Sequence, residues 1–228
     1  MICSPGRCVK LVKGILEARE RGERKMLGQP LFVWEPVPDL CVPEELENAL
    51  EALRYVDVVS PNEGELAALF GEHGEDASGV DAVEGRMQRQ CEELLTRGFG
   101  GRTGAVVVRT GKEGCYVATK ERHTLFPAYH RENRISKKTG RQKLSKVVDP
   151  TGGGNAFLGG FCMGVLQGTT RDATAFEDGA LFGTIAASFA IEQVGMPKLS
   201  GEEEDELWNG KSVAARLEKF RSSLPVAG

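Results

Sequence analysis

Apolar positions along this chain change their spacing again and again. Val9, Val12 and Leu16, flanked by Leu11 and Ile15, recur at helical intervals up to about Arg19, and Ser4-Pro5 supplies a cap and a first helical residue. Leu31-Phe32-Val33-Trp34-Glu35 is a continuous run that reads as a buried strand, ended by Pro36 and Pro38. Pro43 opens a helix with Leu46, Ala49, Leu50 and Leu53 on one face. Val56-Asp57-Val58-Val59 is the next strand, and Asn62 starts a further helix. Residues 71–79 are polar and acidic, which predicts a loop, with a helix over about 83–96 behind it. Ala105-Val106-Val107-Val108-Arg109 is the strongest strand signal; Gly114 to Ala118 and Thr124 to Phe126 give two more. Helices fit at 155–167 and 172–191, and Val213, Leu217 and Phe220 mark an amphipathic C-terminal helix. Strands alternating with helices predict an α/β fold around a mainly parallel sheet. No internal repeat is visible.

Composition narrows the function classes. The 228 residues, 40% of them hydrophobic, suffice for one domain with a substantial core. A net charge of -4 argues against a global attraction to nucleic acid or anionic membrane. No apolar run is long enough to span a bilayer, and Met1 to Pro5 lacks the basic and apolar regions of a signal peptide, so a cytoplasmic protein is expected. Cysteines at 3, 8, 41, 91, 115 and 162 form no Cys-x-x-Cys pair and read as small buried hydrophobes. His73, His123 and His130 show no ligand spacing. Two charged tracts stand out: a basic one over 131–146, read as a flexible solvated insertion or a flap facing phosphates, and the acidic run 202–206, read as solvated.

The densest chemical signal is Asp149-Pro150-Thr151-Gly152-Gly153-Gly154-Asn155, set between Val147-Val148 and Ala156-Phe157-Leu158. Such a turn lets backbone N–H groups converge at a helix start, where a phosphate is well held, and glycine removes the Cβ that would keep a ligand away. Ser60-Pro61-Asn62-Glu63-Gly64-Glu65 holds Asn-x-x-Glu, which on its own reads as an N-cap with a capping-box partner. Arg109-Thr110-Gly111-Lys112-Glu113-Gly114 reads as a tight turn between two strands.

Taken in order, these three segments resemble the ribokinase-like (PfkB) carbohydrate kinases over roughly residues 30 to 197. The resemblance implies a three-layer α/β fold and an ATP-dependent kinase acting on a sugar or small alcohol. It implies ATP phosphates at Gly111, Gly114, Thr151, Gly152, Gly153 and Gly154, and Mg²⁺ organised by Asn62 and Glu65. Ala186 to Ala190 and Gly195 resemble the late helix on the adenine side. Three positions depart from the pattern. Asn155 stands where the family has the Asp that takes the substrate's proton. Arg109 stands where it usually has Thr, able either to bind phosphate or to crowd the nucleotide. Glu35 falls where many relatives have Asp-Pro-Asn. Residues 1–30 lack the family's sugar-binding segment and lid, so the expectation is a single domain over 1–228 truncated at its N-terminus, with a C-terminal extension over 198–228. An exposed apolar edge around Ile2 and Leu31 to Trp34, and self-association through it, follow from that expectation. The wording around Val33 to Asp39 is similar to a fungal branch, one member of which is named for maintenance of a double-stranded RNA virus. Two functions are therefore carried forward. One is a nucleotide-binding carbohydrate-kinase-like protein, weakly active or inactive because of Asn155. The other is a non-catalytic assembly or scaffold protein, with an association with viral RNA particles as its extension.

Overall fold

The structure, a computed structural model, describes residues 1–22, 28–72, 80–100, 103–131, 134–135, 142–143, 146–168, 170–202 and 205–225, with the backbone alone at 80–83, 134–135 and 142–143. In chain order the strands and α-helices are β1 (Ile2–Cys3), α1 (Pro5–Glu20), β2 (Val33–Pro36), α2 (Leu46–Leu53), β3 (Val58–Val59), α3 (Glu63–Leu69), α4 (Val80–Glu93), β4 (Ala105–Arg109), β5 (Cys115–Ala118), β6 (His123–Phe126), β7 (Arg134–Ile135), β8 (Gln142–Lys143), α5 (Gly153–Gln167), α6 (Ala173–Ala190), β9 (Leu199–Ser200), β10 (Leu207–Trp208) and α7 (Val213–Arg221). The fold is a three-layer α/β arrangement whose six-stranded sheet runs β1-β2-β3-β4-β5-β6. The pairs β1·β2, β2·β3 and β3·β4 are parallel, with Ile2 opposite Glu35, Val33 opposite Val58 and Val58 opposite Ala105. A parallel sheet is buried on both faces, which is why β4 is apolar at four successive positions rather than alternating.

The chain forms two compact units, one of residues 1–110 and 116–124, the other of 111–115 and 125–228. In the first, α1 places Cys8 and Val12 in a core with Phe32, Trp34, Leu50, Leu53, Val59 and Val106. The helix begins where Ser4 accepts from the Arg7 N–H and Pro5 follows. β1 is a strand that the apolar pattern does not announce, because two residues are too few to show a period. It pairs with β2 and is tied to it by the Trp34 indole N–H, which donates to the Cys3 carbonyl at 2.9 Å. The expected exposure around Leu31 to Trp34 is therefore corrected. Phe32, Val33 and Trp34 are buried, while Ile2 remains exposed. Pro36 also differs from expectation: it is the last residue of β2 rather than its terminator, opposite Cys3. The helix expected from Pro43 starts as a 3₁₀ turn, Pro43–Glu45, before α2. The one expected over 83–96 closes in a π-helical turn, Leu94–Gly98. The loop foreseen at 71–79 lies outside the described residues beyond position 72, as does His73.

In the second unit α5 and α6 lie against each other through glycines. A Cβ on Gly164 would come within 2.8 Å of the Gly179 Cα, and one on Gly160 within 2.7 Å of the Phe182 carbonyl. α5 starts at the glycine turn. The C-terminal helix α7 docks more firmly than its apolar stripe suggests. Arg216 is buried, donates to both oxygens of Glu192 at 3.1 Å and to the Ser188 hydroxyl at 2.8 Å, and stacks over the Phe189 ring. His130 reaches the same Glu192 carboxylate at 3.1 Å. Burial would raise the Glu192 carboxyl, but the Arg216 contacts outweigh it and hold the group below its ordinary value. Five of the six cysteines are buried and Cys162 is half-buried. No described helix is long and apolar enough to cross a membrane. Of the basic tract, Arg131, Lys146 and the backbone ribbon β7·β8 are described, and the flap expectation lies outside the described residues. Glu203 and Glu204 of the acidic run do so too.

Candidate functional site

The glycine turn is held from both sides. Val148 and Asp149 donate their N–H groups to the Ile191 carbonyl just past α6, at 2.8 and 3.3 Å. Asp149 in turn accepts from the Thr151 N–H at 2.9 Å. That backbone bond, with the Thr151 side chain, holds the Asp149 carboxyl below its ordinary value. Asp149, the nearest carboxylate to Asn155 in sequence, is thus engaged in shaping the turn. Gly152 caps α5 in the left-handed region, φ 80° and ψ -8°, where a side chain would be strained. Gly153 donates to Pro150, and Ala156 makes the first α-helical bond, back to Gly152. The N–H groups of Gly154 and Asn155 have no helix carbonyl to meet, as expected for a first helical turn.

Thr151, Gly152 and Asn155, with Asp149, line one end of a cavity of about 710 Å³ in this unit. Its other walls are apolar: Phe182, Ala186, Phe189, Ala190 and Met196. Gly195 lines it as well, so the late-helix residues singled out in the sequence meet the glycine turn around one space. Asn155 is exposed, and its side chain has no hydrogen-bond partner among the described residues. Trp208 and Val213 also line the cavity, and no motif marks them. Free N–H groups at a helix start with an apolar slot alongside fit a nucleotide: phosphates at the N–H groups, a base along the wall.

Gly111 and Gly114 belong to the same unit and bracket a 3₁₀ turn, Gly111–Glu113, with φ 58° and 113°. They differ in their surroundings. A Cβ on Gly111 would meet nothing within 4 Å, whereas one on Gly114 would lie 2.0 Å from the Phe126 carbonyl. Gly114 is required by the packing of the backbone, and Gly111 presents an open surface.

The first unit brings together Asn62, Glu65, Arg109 and Glu35. Asn62 and Glu65 form the full capping box: the Asn62 side chain accepts from the Glu65 N–H at 2.8 Å, and Glu65 accepts from the Asn62 N–H at 2.7 Å. Arg109 ends β4 and Glu35 lies near the end of the parallel strand β2, so both sit near the carboxyl ends of their strands, the end at which open α/β folds bind ligands. One Arg109 nitrogen, Nη2, lies 2.6 Å from Glu35, 3.2 Å from the Ser60 carbonyl and 3.5 Å from Glu65. Burial raises the Glu65 carboxyl above its ordinary value, against the opposite pull of the Asn62 N–H and Arg109. Glu35, which in the sequence stands out only as a departure from the family's Asp-Pro-Asn, belongs to this cluster.

Magnesium fits this cluster poorly. Among the described residues no group of three or more His, Cys, Asp and Glu side chains could hold a metal ion. The two acids that face each other already have a guanidinium nitrogen between them. At an effective dielectric of about 20, unit charges about 4 Å apart interact by about 4 kcal/mol, so at that range Arg109 would oppose a divalent ion by about 8 kcal/mol and cancel about half of the attraction of the two acids.

Residues 35–198 match the family model of the pfkB family carbohydrate kinases. The chain is 29% identical to Protein MAK32 of Saccharomyces cerevisiae, over 97% of its own length and 56% of that protein's. It is 32% identical to an uncharacterized protein of Schizosaccharomyces pombe, over 86% of its own length and 53% of the relative's. Over 41% of this chain and 21% of the relative it is 34% identical to Inositol 3-kinase of Arabidopsis thaliana. Among solved structures, ribokinase from Giardia lamblia superposes with a TM-score of 0.60 at 19% identity, covering 86% of this chain and 53% of that one. Aminoimidazole riboside kinase from Salmonella enterica does so with 0.54 at 18%, covering 93% and 56%. These superpositions establish the ribokinase-like fold. The chain spans about half the length of the two fungal relatives.

Proposed function

Because the chain belongs to the pfkB family of carbohydrate kinases, we propose that it is a nucleotide-binding member whose phosphoryl transfer to a sugar or small alcohol is weak or absent. The observation that carries this reading is the glycine turn at the start of α5, where Thr151, Gly152 and Asn155 line a cavity of about 710 Å³. A nucleotide would supply the transferable phosphoryl group. Gly154 and Asn155 would donate backbone N–H groups to its phosphates, and Gly152 would keep the approach open. Ala186, Phe189 and Ala190 would exclude water from the base. The Asn155 amide can hydrogen-bond an acceptor hydroxyl but cannot take its proton at neutral pH. Losing a general base costs about 10²–10⁴ in rate, and transfer that depends on positioning alone retains the remainder.

Calorimetry with ATP, ADP and adenosine, together with ADP release in the presence of sugars and inositols, tests the proposal. Binding that requires phosphates, without acceptor-stimulated ADP release, is the expected outcome. Adenosine binding as tightly as ATP would overturn the phosphate role of the turn, and acceptor-stimulated turnover at ordinary kinase rates, about 1–100 per second, would overturn the assignment of Asn155. The assembly reading draws on the exposed apolar side chains Val194, Met196 and Leu199. It is what remains if none of the three compounds binds.

A further inference from the structure

The Asn62–Glu65 element carries a cation of its own. Arg109 is delivered to it by the backbone: the Arg109 N–H donates to the Pro61 carbonyl at 3.0 Å, and Arg109 and Asn62 pair as a parallel bridge at the ends of their segments. From there the guanidinium reaches Glu35 at 2.6 Å and Glu65 at 3.5 Å with the same nitrogen. All three side chains are largely buried, at 15% exposed or less. We propose that Arg109 is a resident cation that takes the place of a divalent metal between Glu35 and Glu65 and closes this element to metal ions.

Several features of the site support the assignment. A guanidinium keeps its charge at every physiological pH, so the position is filled at all times. The Glu65 oxygen nearest to Arg109 is also the one that accepts from the Asn62 N–H, so the capping box and the guanidinium share it. What remains is Glu35 Oε2, buried and without a hydrogen-bond partner among the described residues, and the second Glu65 oxygen, Oε1. Magnesium can bind through one or two carboxylates and keep several waters, but here the fixed charge of Arg109 lies within 3.5 Å of both carboxylates and takes the space between them. The other use of Arg109, swinging out to bind a phosphate, would leave two buried acids facing each other unpaired. The inference concerns the first unit alone and does not depend on nucleotide binding.

Manganese serves as the probe, with binding followed by electron paramagnetic resonance and by its effect on the thermal midpoint of the 228-residue chain. Wild type is expected to show no saturable binding and no shift. Arg109→Thr should bind one Mn²⁺ at least about tenfold more tightly than wild type, since it leaves two unneutralised carboxylates, and Mn²⁺ should raise its midpoint. Adding Glu35→Gln to that variant should abolish both effects. Arg109→Lys, which keeps the charge, should exclude Mn²⁺ as wild type does. If Arg109→Thr folds only when refolded with Mn²⁺, the proposal is equally supported. Saturable Mn²⁺ binding by wild type that disappears in Glu65→Gln would overturn it. So would an Arg109→Thr protein that folds yet binds Mn²⁺ no better than wild type.

Discussion

The glycine turn at 152–155 and the Asn62–Glu65 element are both helix starts, and they treat their polar groups in opposite ways. At α3 side chains do the capping: Asn62 and Glu65 satisfy each other's N–H groups, and Arg109 offsets part of the charge of the acids around them. At α5 the cap is a glycine with no side chain to offer, and Gly152 and Asn155 line a cavity. A helix start that fills its own hydrogen bonds gains stability and gives up binding capacity. One that leaves them open depends on water or a ligand to fill them. The difference teaches that matching a family's sequence pattern does not make two segments equally available. Here the open one holds the stronger claim to be a ligand site.

The sharpest way to break this comparison is to close the open end. Gly153→Asp puts a carboxylate among the N–H donors. Losing two charge-assisted hydrogen bonds at about 1.5–3 kcal/mol each predicts a loss of ATP affinity of at least about a hundredfold. A Cβ at Gly153 would already lie 2.9 Å from Ile191, so Gly153→Ala must be measured beside it to separate crowding from charge. Equal affinities for ATP in calorimetry of the Asp and Ala variants would remove the phosphate argument.

Opening the closed end should be felt in stability instead. Arg109→Ala leaves Glu35 and Glu65 buried without their cation, and breaking a buried pair in this way costs about 3–5 kcal/mol. For a chain of this size that corresponds to a fall in the melting midpoint of about 6–20 °C. A midpoint within about 2 °C of wild type, less than 1 kcal/mol by the same conversion, would show that the cluster is loosely solvated.

The smallest effect is a difference in pH dependence. Glu65 has a folded-state pKa raised above the ordinary 4.5. Its contribution is therefore fully present below that value and is lost as pH rises through the raised pKa. Glu192 in the second unit is lowered, so its contribution is present above 4.5 and is lost as pH falls. Thermal melts across pH should show wild type losing ground to Glu65→Gln as pH rises, and losing its advantage over Glu192→Gln as pH falls. Parallel curves for the two variants would refute the opposite signs.

Much of this was readable in the chain as written. Helical spacing placed α1, α2 and α7, the apolar run placed β4, and the Asn-x-x-Glu spacing foretold the capping box, because each depends only on residues a few positions apart. The order of three short motifs was enough to suggest the family. Other features had to wait for the tertiary structure. Strand β1 exists because β2 offers it an edge, and Arg216 is buried because Glu192, Ser188 and Phe189 receive it. In the sequence Arg109 reads as a group able either to bind phosphate or to crowd the nucleotide. Its actual partners, Glu35 and Glu65, stand on other segments and reach it only once β2, β3 and β4 lie side by side. Spacing along a chain records which residues share a face, whereas the pairing of charges across segments depends on which strand lies next to which, and that is decided by the fold.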